Sequence, residues 1–138
     1  MALTLAEAHN IVQGAIARAE ELKIKINVAV CDNGGRLITF SRMDDALWAG
    51  IYGSQGKALA SAAFGRISAE LQDRADSPII RGIVTRLGAG DVIPSQGAVP
   101  VFRGSTLEGA VGVGGGSSQQ DEDCARAGVA AINLATKR

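Results

Sequence analysis

The sequence predicts an α+β domain in which helices flank an antiparallel sheet. Two pairs of apolar stretches are each joined by a short turn, which indicates two hairpins. The N-terminal segment repeats its apolar residues at helical spacing, and the C-terminal segment begins with serines that can cap a helix. Because both helices need an apolar surface to cover, we expect them on one face of the sheet.

The first predicted elements are a helix and a hairpin. Thr4 and Glu7 form a capping box, so a helix should begin immediately after Thr4. Its apolar stripe consists of Leu5, Ala8, Val12, Ala15, Ala19 and Leu22. Alternation from Lys23 to Cys31 predicts a strand, Asp32-Asn33-Gly34-Gly35 predicts a turn, and Arg36 to Arg42 should form the second strand.

The rest of the chain predicts further helices and a second hairpin. Met43–Gly50 and Gly90–Pro100 have the composition of irregular connections, and Asp76-Ser77-Pro78 breaks a helix. We predict helices at Ile51–Phe64, at Ser68–Arg74 with Ser68 as the cap, at Ile79–Leu87 and at Gln119–Lys137, and strands at Val99–Arg103 and Leu107–Gly114. This order of elements is typical of a profilin-like or PAS-like sandwich, formed as one domain over residues 1–138.

Composition limits the partners that the chain can have. It holds 14 basic and 14 acidic residues, and a net charge of zero lacks the basic excess that a nucleic-acid surface needs. No apolar run is long enough for a membrane span and no secretory leader is evident, so we expect a cytoplasmic protein without a membrane partner. The 18 glycines indicate thin, closely packed layers, which also suit a homo-oligomer.

The glycine-rich segment before the last helix is a candidate site for a small-molecule ligand. Its polar groups belong to Gly115, Gly116, Ser117, Gln120 and Asp121. Free amides at a helix start attract anions. However, the acids at 121–123 already complement the helix dipole and would repel a polyanion. We therefore expect plain capping rather than phosphate binding, with room for a single ligand carboxylate.

The lone histidine is the candidate metal ligand. Helical spacing places His9 beside the apolar stripe, where it is either a surface residue without a role or an axial heme ligand or general base. Cys31 and Cys124 belong to no CxxC pair, so two reduced core thiols are the simpler interpretation.

Three cations are candidate catalytic groups. Arg42 ends the second strand next to Asp44, Lys57 lies on a helix of small residues, and Arg66 follows a glycine. A cation among small residues can hold a substrate carboxylate, and arginine does so with two parallel hydrogen bonds. Internal ion pairs, such as Arg42 with Asp44 or Lys57 with a carboxylate of the C-terminal helix, are the alternative.

Four motifs occur in order along the chain. They are LTLAEAH, VAVCDNGGRLITFSRMDDA, KALASAAFGR and GAVGVGGGSSQQDEDCARAG. On these motifs the chain resembles the GlcG/HbpS-like heme-binding family, which includes the C-terminal domain of some PduO-type cobalamin adenosyltransferases. The resemblance covers essentially the whole chain. It implies a profilin-like sandwich assembled into dimers or larger rings, with heme or iron bound by some members.

Three functions follow as hypotheses. The resemblance implies a cytoplasmic homo-oligomer that binds a small ligand, with heme as the candidate and His9 as its axial ligand. A cofactor-free tautomerase or isomerase for small unsaturated hydroxy- or oxo-acids, such as a 2-hydroxymuconate-type intermediate of aromatic breakdown, is the second. The residues proposed for it are Arg42, Lys57 and Arg66 to orient carboxylates, and His9, Asp44 or Glu122 to move the proton. A structural assembly module without a ligand is the third.

Overall fold

The computed structural model describes residues 2–138, and over that range the chain forms four strands and five helices. In chain order the elements are α1 (Leu5–Leu22), β1 (Asn27–Asp32), β2 (Leu37–Arg42), α2 (Ala49–Phe64), α3 (Ser68–Asp73), α4 (Pro78–Gly88), β3 (Ala98–Arg103), β4 (Thr106–Gly114) and α5 (Ser118–Ala131). Neighbouring strands are antiparallel, and the order β2-β1-β4-β3 places both hairpins in one sheet. The predicted α+β class and both hairpins are confirmed.

One face of the sheet is lined with valines and lies under α1 and α5. Val28 pairs with Val113 across β1 and β4, and Val30 pairs with Val111, so large side chains stand in rows. Apolar side chains of both helices, among them the fully buried Ile11, pack onto these rows. The prediction that the terminal helices cover one face is confirmed, and this layer is the main core.

The opposite face carries mostly small residues and lies against α2. Alanines of β1 and β4 contact Ala58 and Ala62 on that helix. A Cβ built on Gly112 in β4 would lie 2.0 Å from the carbonyl oxygen of Ser54. The backbone of α2 therefore rests directly on β4, because no side chain separates them. The glycine-rich sequence of β4 reflects this close approach.

The capping predictions at both terminal helices are confirmed. The Thr4 hydroxyl accepts from the Glu7 amide at 3.1 Å, and the Glu7 carboxylate accepts from the Thr4 amide at 3.0 Å. At α5 the Ser117 hydroxyl accepts from the Gln120 amide at 3.2 Å, and the Gln120 side chain accepts in return from the Ser117 amide at 2.9 Å. Local sequence therefore determines where both helices begin.

The first strand begins at Asn27, so the predicted start at Lys23 is wrong. Lys23 adopts a left-handed conformation with φ 59° at the end of α1, and the Ile24 amide donates to the Ala19 carbonyl at 3.0 Å. These backbone groups complete the helix and cannot pair with a strand. Ile24 packs against the main core, which explains why the sequence alternates there without forming a strand.

The last helix ends at Ala131, so the predicted end at Lys137 is also wrong. Asn133 turns the chain with φ 57°, and Ala135 then pairs with Phe102 of β3. The Phe102 amide donates to the Ala135 carbonyl at 2.7 Å, and the Ala135 amide donates to the Phe102 carbonyl at 3.1 Å. The C-terminal segment thus satisfies part of an otherwise open sheet edge.

Ser68 is not the cap of α3, as the sequence had indicated, but its first residue. Its hydroxyl accepts from the Ala98 amide at 2.8 Å and donates to the Ala98 carbonyl at 3.3 Å. The side chain therefore joins α3 to the start of β3. The predicted helix after Asp76-Ser77-Pro78 is confirmed as α4, with Pro78 in its first turn.

Candidate functional site

Two buried charges of the predicted site form an ion pair between α2 and α5. Lys57 is 8% exposed and Asp121 is 4% exposed. The Lys57 Nζ lies 3.3 Å from Asp121 Oδ2 and 3.4 Å from the main-chain carbonyl of Gln96. This contact is the ion pair between Lys57 and the C-terminal helix that the sequence offered as an alternative to a catalytic role.

Gly97 leaves the space in which the Lys57 side chain of α2 meets Asp121 of α5. It has φ +135°, and a Cβ built on it would lie 2.6 Å from Lys57 Nζ and 3.1 Å from the Cβ of Asp121. α2 and α5 cover opposite faces of the sheet, so the Lys57 side chain reaches Asp121 past this glycine, just before β3. Any side chain at Gly97 would displace the ammonium.

The glycine-rich loop is closed by groups of the protein itself. Asp121 Oδ1 accepts from the Gly116 amide at 2.8 Å, and Ser117 and Gln120 form the capping box described above. Gly115 has φ +130°, and a Cβ there would lie 2.3 Å from the Lys25 carbonyl. The amides of Gly116 and Ser117 thus already have acceptors, as expected for plain capping.

Burial and ion pairing have opposite effects on the pKa of Asp121. Burial raises the pKa of this carboxyl above its ordinary value, while the Lys57 charge and the Gly116 amide act to lower it. The net direction is upward because desolvation is the largest effect. The Lys57 charge and the Gly116 amide therefore favour the ionised form of a carboxyl group that burial alone disfavours.

Glu122 takes part in a separate network with Gln96 and Arg126. Gln96 Nε2 donates to Glu122 Oε1 at 3.3 Å, and Arg126 Nε donates to Glu122 Oε2 at 3.1 Å. Arg126 Nη1 also donates to the Thr136 hydroxyl at 3.1 Å, which holds the C-terminal segment. Sequence reasoning missed Gln96 and Gly97, because only the folded chain brings them to α2 and α5. It also missed Arg126, although this residue lies one helical turn after Glu122 on α5.

The other two predicted cations lie elsewhere. Arg42 is on β2, an edge strand, and Arg42 Nη1 donates to the Ala46 carbonyl at 3.3 Å. The suggested partner of Arg42, Asp44, is exposed and makes no ion pair with it within residues 2–138. Arg66 pairs with Glu70 at 3.3 Å on the surface. Lys57 adjoins the start of β3, at the opposite edge of the sheet from Arg42.

The three cations proposed to orient carboxylates therefore do not surround a common cavity. Arg66 lines a groove of about 480 Å³ near the end of β3, and that groove includes neither Arg42 nor Lys57. The predicted residues divide into the buried group around Lys57 and Asp121, an edge position at Arg42, and the groove at Arg66. A reaction that needs all three cations on one substrate does not fit this arrangement.

His9 lies on the exposed surface of α1. Its side chain makes no hydrogen bond or ion pair with another residue in the range 2–138. One turn earlier, Leu5 is 56% exposed, so an apolar side chain adjoins the ring. Over the described range no cluster of three or more His, Cys, Asp or Glu side chains is arranged around a metal ion. A ligand at His9 would rely on the imidazole alone.

The two thiols are buried on opposite faces of the sheet. Burial raises the pKa of Cys31 to about 12 and that of Cys124 to about 11. Cys31 packs against α2, whereas Cys124 belongs to the core beneath α1 and α5, so the sheet separates them. The interpretation of both as core thiols agrees with this burial.

A family model covers most of the chain. The family model described as Haem degrading protein HbpS-like matches residues 3–130. This chain belongs to that HbpS-like family. Among residues 2–138 no helix combines the length and the apolar character that crossing a bilayer requires.

Particular relatives place the chain more closely. It is 32% identical to the corrinoid adenosyltransferase PduO of Citrobacter freundii over 138 residues, which are 99% of this chain and 41% of that protein. It is 31% identical to PduO of Salmonella typhimurium over 137 residues, 99% of this chain and 40% of that protein. The chain thus spans about two fifths of these relatives.

Solved structures agree in fold. The PduOC:heme complex matches with a TM-score of 0.89 at 31% identity, and the match covers 100% of both chains. Protein ORFY of Klebsiella pneumoniae matches with a TM-score of 0.86 at 25% identity, over 94% of this chain and 90% of that one. A variant of HbpS from Streptomyces reticuli matches with a TM-score of 0.84 at 25% identity, over 96% and 88%.

Proposed function

We propose that this chain binds heme, and that it does so as an assembly of two or more copies in the cytoplasm. The observation that carries the proposal is the agreement with the PduOC:heme complex over the full length of both chains. The fold is shared without insertions large enough to reduce that coverage. A chain of the same fold and length forms a complex with heme, which supports heme binding by this protein.

His9 is the residue proposed to hold the iron. A neutral imidazole with an accessible nitrogen is a common axial ligand of heme iron. The His9 side chain is exposed, and no partner within residues 2–138 occupies its nitrogens. The His9 imidazole would hold the iron of a bound heme, and the surface of α1 beside it would contact the porphyrin.

Assembly is proposed because one face of α1 cannot cover a porphyrin. Heme is a flat apolar molecule, and a ring lying on His9 and Leu5 would leave its other face in water. Burial of that face against a second copy would remove the exposed apolar area. The exposed Leu5 itself would be covered in the same step.

The experiment is a titration of the purified protein with hemin, followed by the Soret absorption band. We expect a sharpened and shifted band that saturates at a fixed ratio of heme to chain. His9→Ala should weaken binding at least about tenfold, since the axial bond is lost. Gln13→Ala, on the same exposed face of α1, is the matched control and should bind as the parent does. Absence of a saturable band in the parent protein would refute heme binding, and an unchanged His9→Ala titration would refute His9 as the ligand.

A further inference from the structure

We propose that the groove at the β3 edge binds a small anion that combines a carboxylate or phosphate with a flat apolar body. The groove has a volume of about 480 Å³, within the range of small-molecule sites. Its walls come from the end of α2, the start of α3, β3, α5 and the C-terminal segment. The proposal is independent of heme binding, since His9 does not line this groove.

The charge of the groove favours an anion. Four cations line it, Arg66, Arg126, Lys137 and Arg138, together with one carboxylate, Glu70. The chain as a whole has no net charge, so this excess is local. Arg126 is neutralised by Glu122, and Arg66 by Glu70. Lys137 makes no ion pair with any other residue between 2 and 138, so its ammonium group is available to pair with an anionic group of a ligand.

The ion pair between Arg66 and Glu70 is weak. The Arg66 and Glu70 side chains are 57% and 51% exposed, and Arg66 itself precedes α3. Exposed pairs of this kind contribute little to stability, so Arg66 can exchange Glu70 for a ligand oxygen at small cost. Its planar guanidinium matches the two oxygens of a carboxylate or phosphate.

The floor of the groove favours a flat body on that anion. Phe64 and Phe102 line it, and the Arg138 guanidinium lies 5.6 Å from the centre of the Phe102 ring. Phe102 is 2% exposed and its ring lies under the Arg138 guanidinium, so the half-buried Phe64 is the ring that a flat ligand can contact. An aromatic or conjugated ligand can pack against Phe64 while its charged group meets Arg66 and Lys137.

The test uses heme-free protein and phenyl phosphate, with binding measured by ligand-observed NMR and calorimetry. Benzoate and inorganic phosphate distinguish a carboxylate from a phosphate source, and phenol is the neutral flat comparison. We expect saturable binding of phenyl phosphate or benzoate and at least about fivefold weaker binding of phenol. Raising the salt concentration should weaken the binding of the anion.

Variants locate the site. Arg66→Gln combined with Lys137→Gln should weaken binding of the anion at least about fivefold, and both side chains are exposed, so folding should be retained. Arg86→Gln removes an exposed charge from α4, outside the groove, and should have no effect. The proposal is overturned by lack of saturable binding at millimolar anion, by equal binding of phenol, or by equal affinity in the double variant.

Discussion

Glu7 performs two tasks at the start of α1. Its carboxylate accepts from the Thr4 amide, and it also forms an ion pair with Arg103, a residue at the end of β3. The Thr4 amide and Arg103 hold the pKa of Glu7 below its ordinary value of 4.5. One side chain therefore caps the first helix and connects it to the sheet.

Replacing Glu7 by glutamine tests this double role through pH. A lowered folded-state pKa contributes stability that is present above the unfolded value, about 4.5, and is lost as pH falls through the lowered pKa. Glutamine retains the capping geometry but not the charge. We expect Glu7→Gln to lower the free energy of unfolding by roughly 0.5–1 kcal/mol at pH 7.

The same difference should shrink as the pH falls below 4.5. Urea unfolding at several pH values measures it, with Glu20→Gln, an exposed acid on the same helix, as the control that should stay near the parent. A deficit in Glu7→Gln that persists unchanged in acid would contradict the role of the charge.

At the level of elements, β4 and α2 are fitted together without intervening side chains. The distance of 2.0 Å from a Cβ at Gly112 to the Ser54 carbonyl involves backbone on both sides, so the contact cannot relax by a rotamer change. On the outer side of the same helix, a Cβ at Gly53 would meet nothing within 4 Å.

These two glycines should respond to alanine in opposite ways. Gly112→Ala must push α2 from the sheet, and we expect a loss of about 3 kcal/mol or more in the free energy of unfolding. Gly53→Ala should gain about 0.5–1 kcal/mol, because alanine is the better helix former and has room. Thermal or urea unfolding of both variants measures the difference. Comparable stability of the two would show that the helix does not rest on β4.

Prediction from sequence succeeded where the signal is local. The capping box at Thr4, a serine cap at 117 or 118 and the turn at 32–35 each depend on a few neighbouring residues, and all three are confirmed, with Ser117 as the serine that caps α5. The predicted start of β1 and the predicted end of α5 were wrong. The start of β1 is set by the left-handed end of α1 at Lys23, and the end of α5 is set by a distant partner. Ala135 lies beyond the end of α5 and pairs with Phe102, and no residue near Ala135 in the sequence indicates that strand edge.

The candidate site shows the same division. The sequence allowed Lys57 either to pair with a carboxylate of the C-terminal helix or to act in catalysis, and it did not indicate which of the two roles applies. The choice depends on Gly97, which opens the way between α2 and α5. The basic groove was not predicted as a unit, because its walls are drawn from residues 64 to 138.

For the whole molecule, the Lys57–Asp121 pair connects the layers on the two faces of the sheet. Both side chains are at most 10% exposed, so removing one partner leaves the other buried without a counter-charge. The attraction between the two charges therefore contributes less to stability than the loss of either partner would cost.

A double-mutant cycle measures this coupling. We expect Lys57→Met and Asp121→Asn each to cost about 3 kcal/mol, and the double variant to cost much less than their sum. Asn at 121 keeps an acceptor for the Gly116 amide, so the cap survives. The exposed pair of Arg18 and Glu21 is the control, with an expected coupling of about 0.5 kcal/mol or less. Additive losses at Lys57 and Asp121 would contradict the connection between layers.

The assembly proposed around heme is the claim with the widest consequence for the molecule. A single copy offers one exposed helix face with His9 and Leu5, and the second heme face needs another copy.

Sedimentation of the hemin-loaded protein, recorded through the Soret absorbance, tests the claim most directly. We expect heme to sediment with a species of two or more chains, and we expect His9→Ala to remove heme from that species while Gln13→Ala does not. Heme that sediments unbound, or with a single chain of 14.1 kDa, would contradict it.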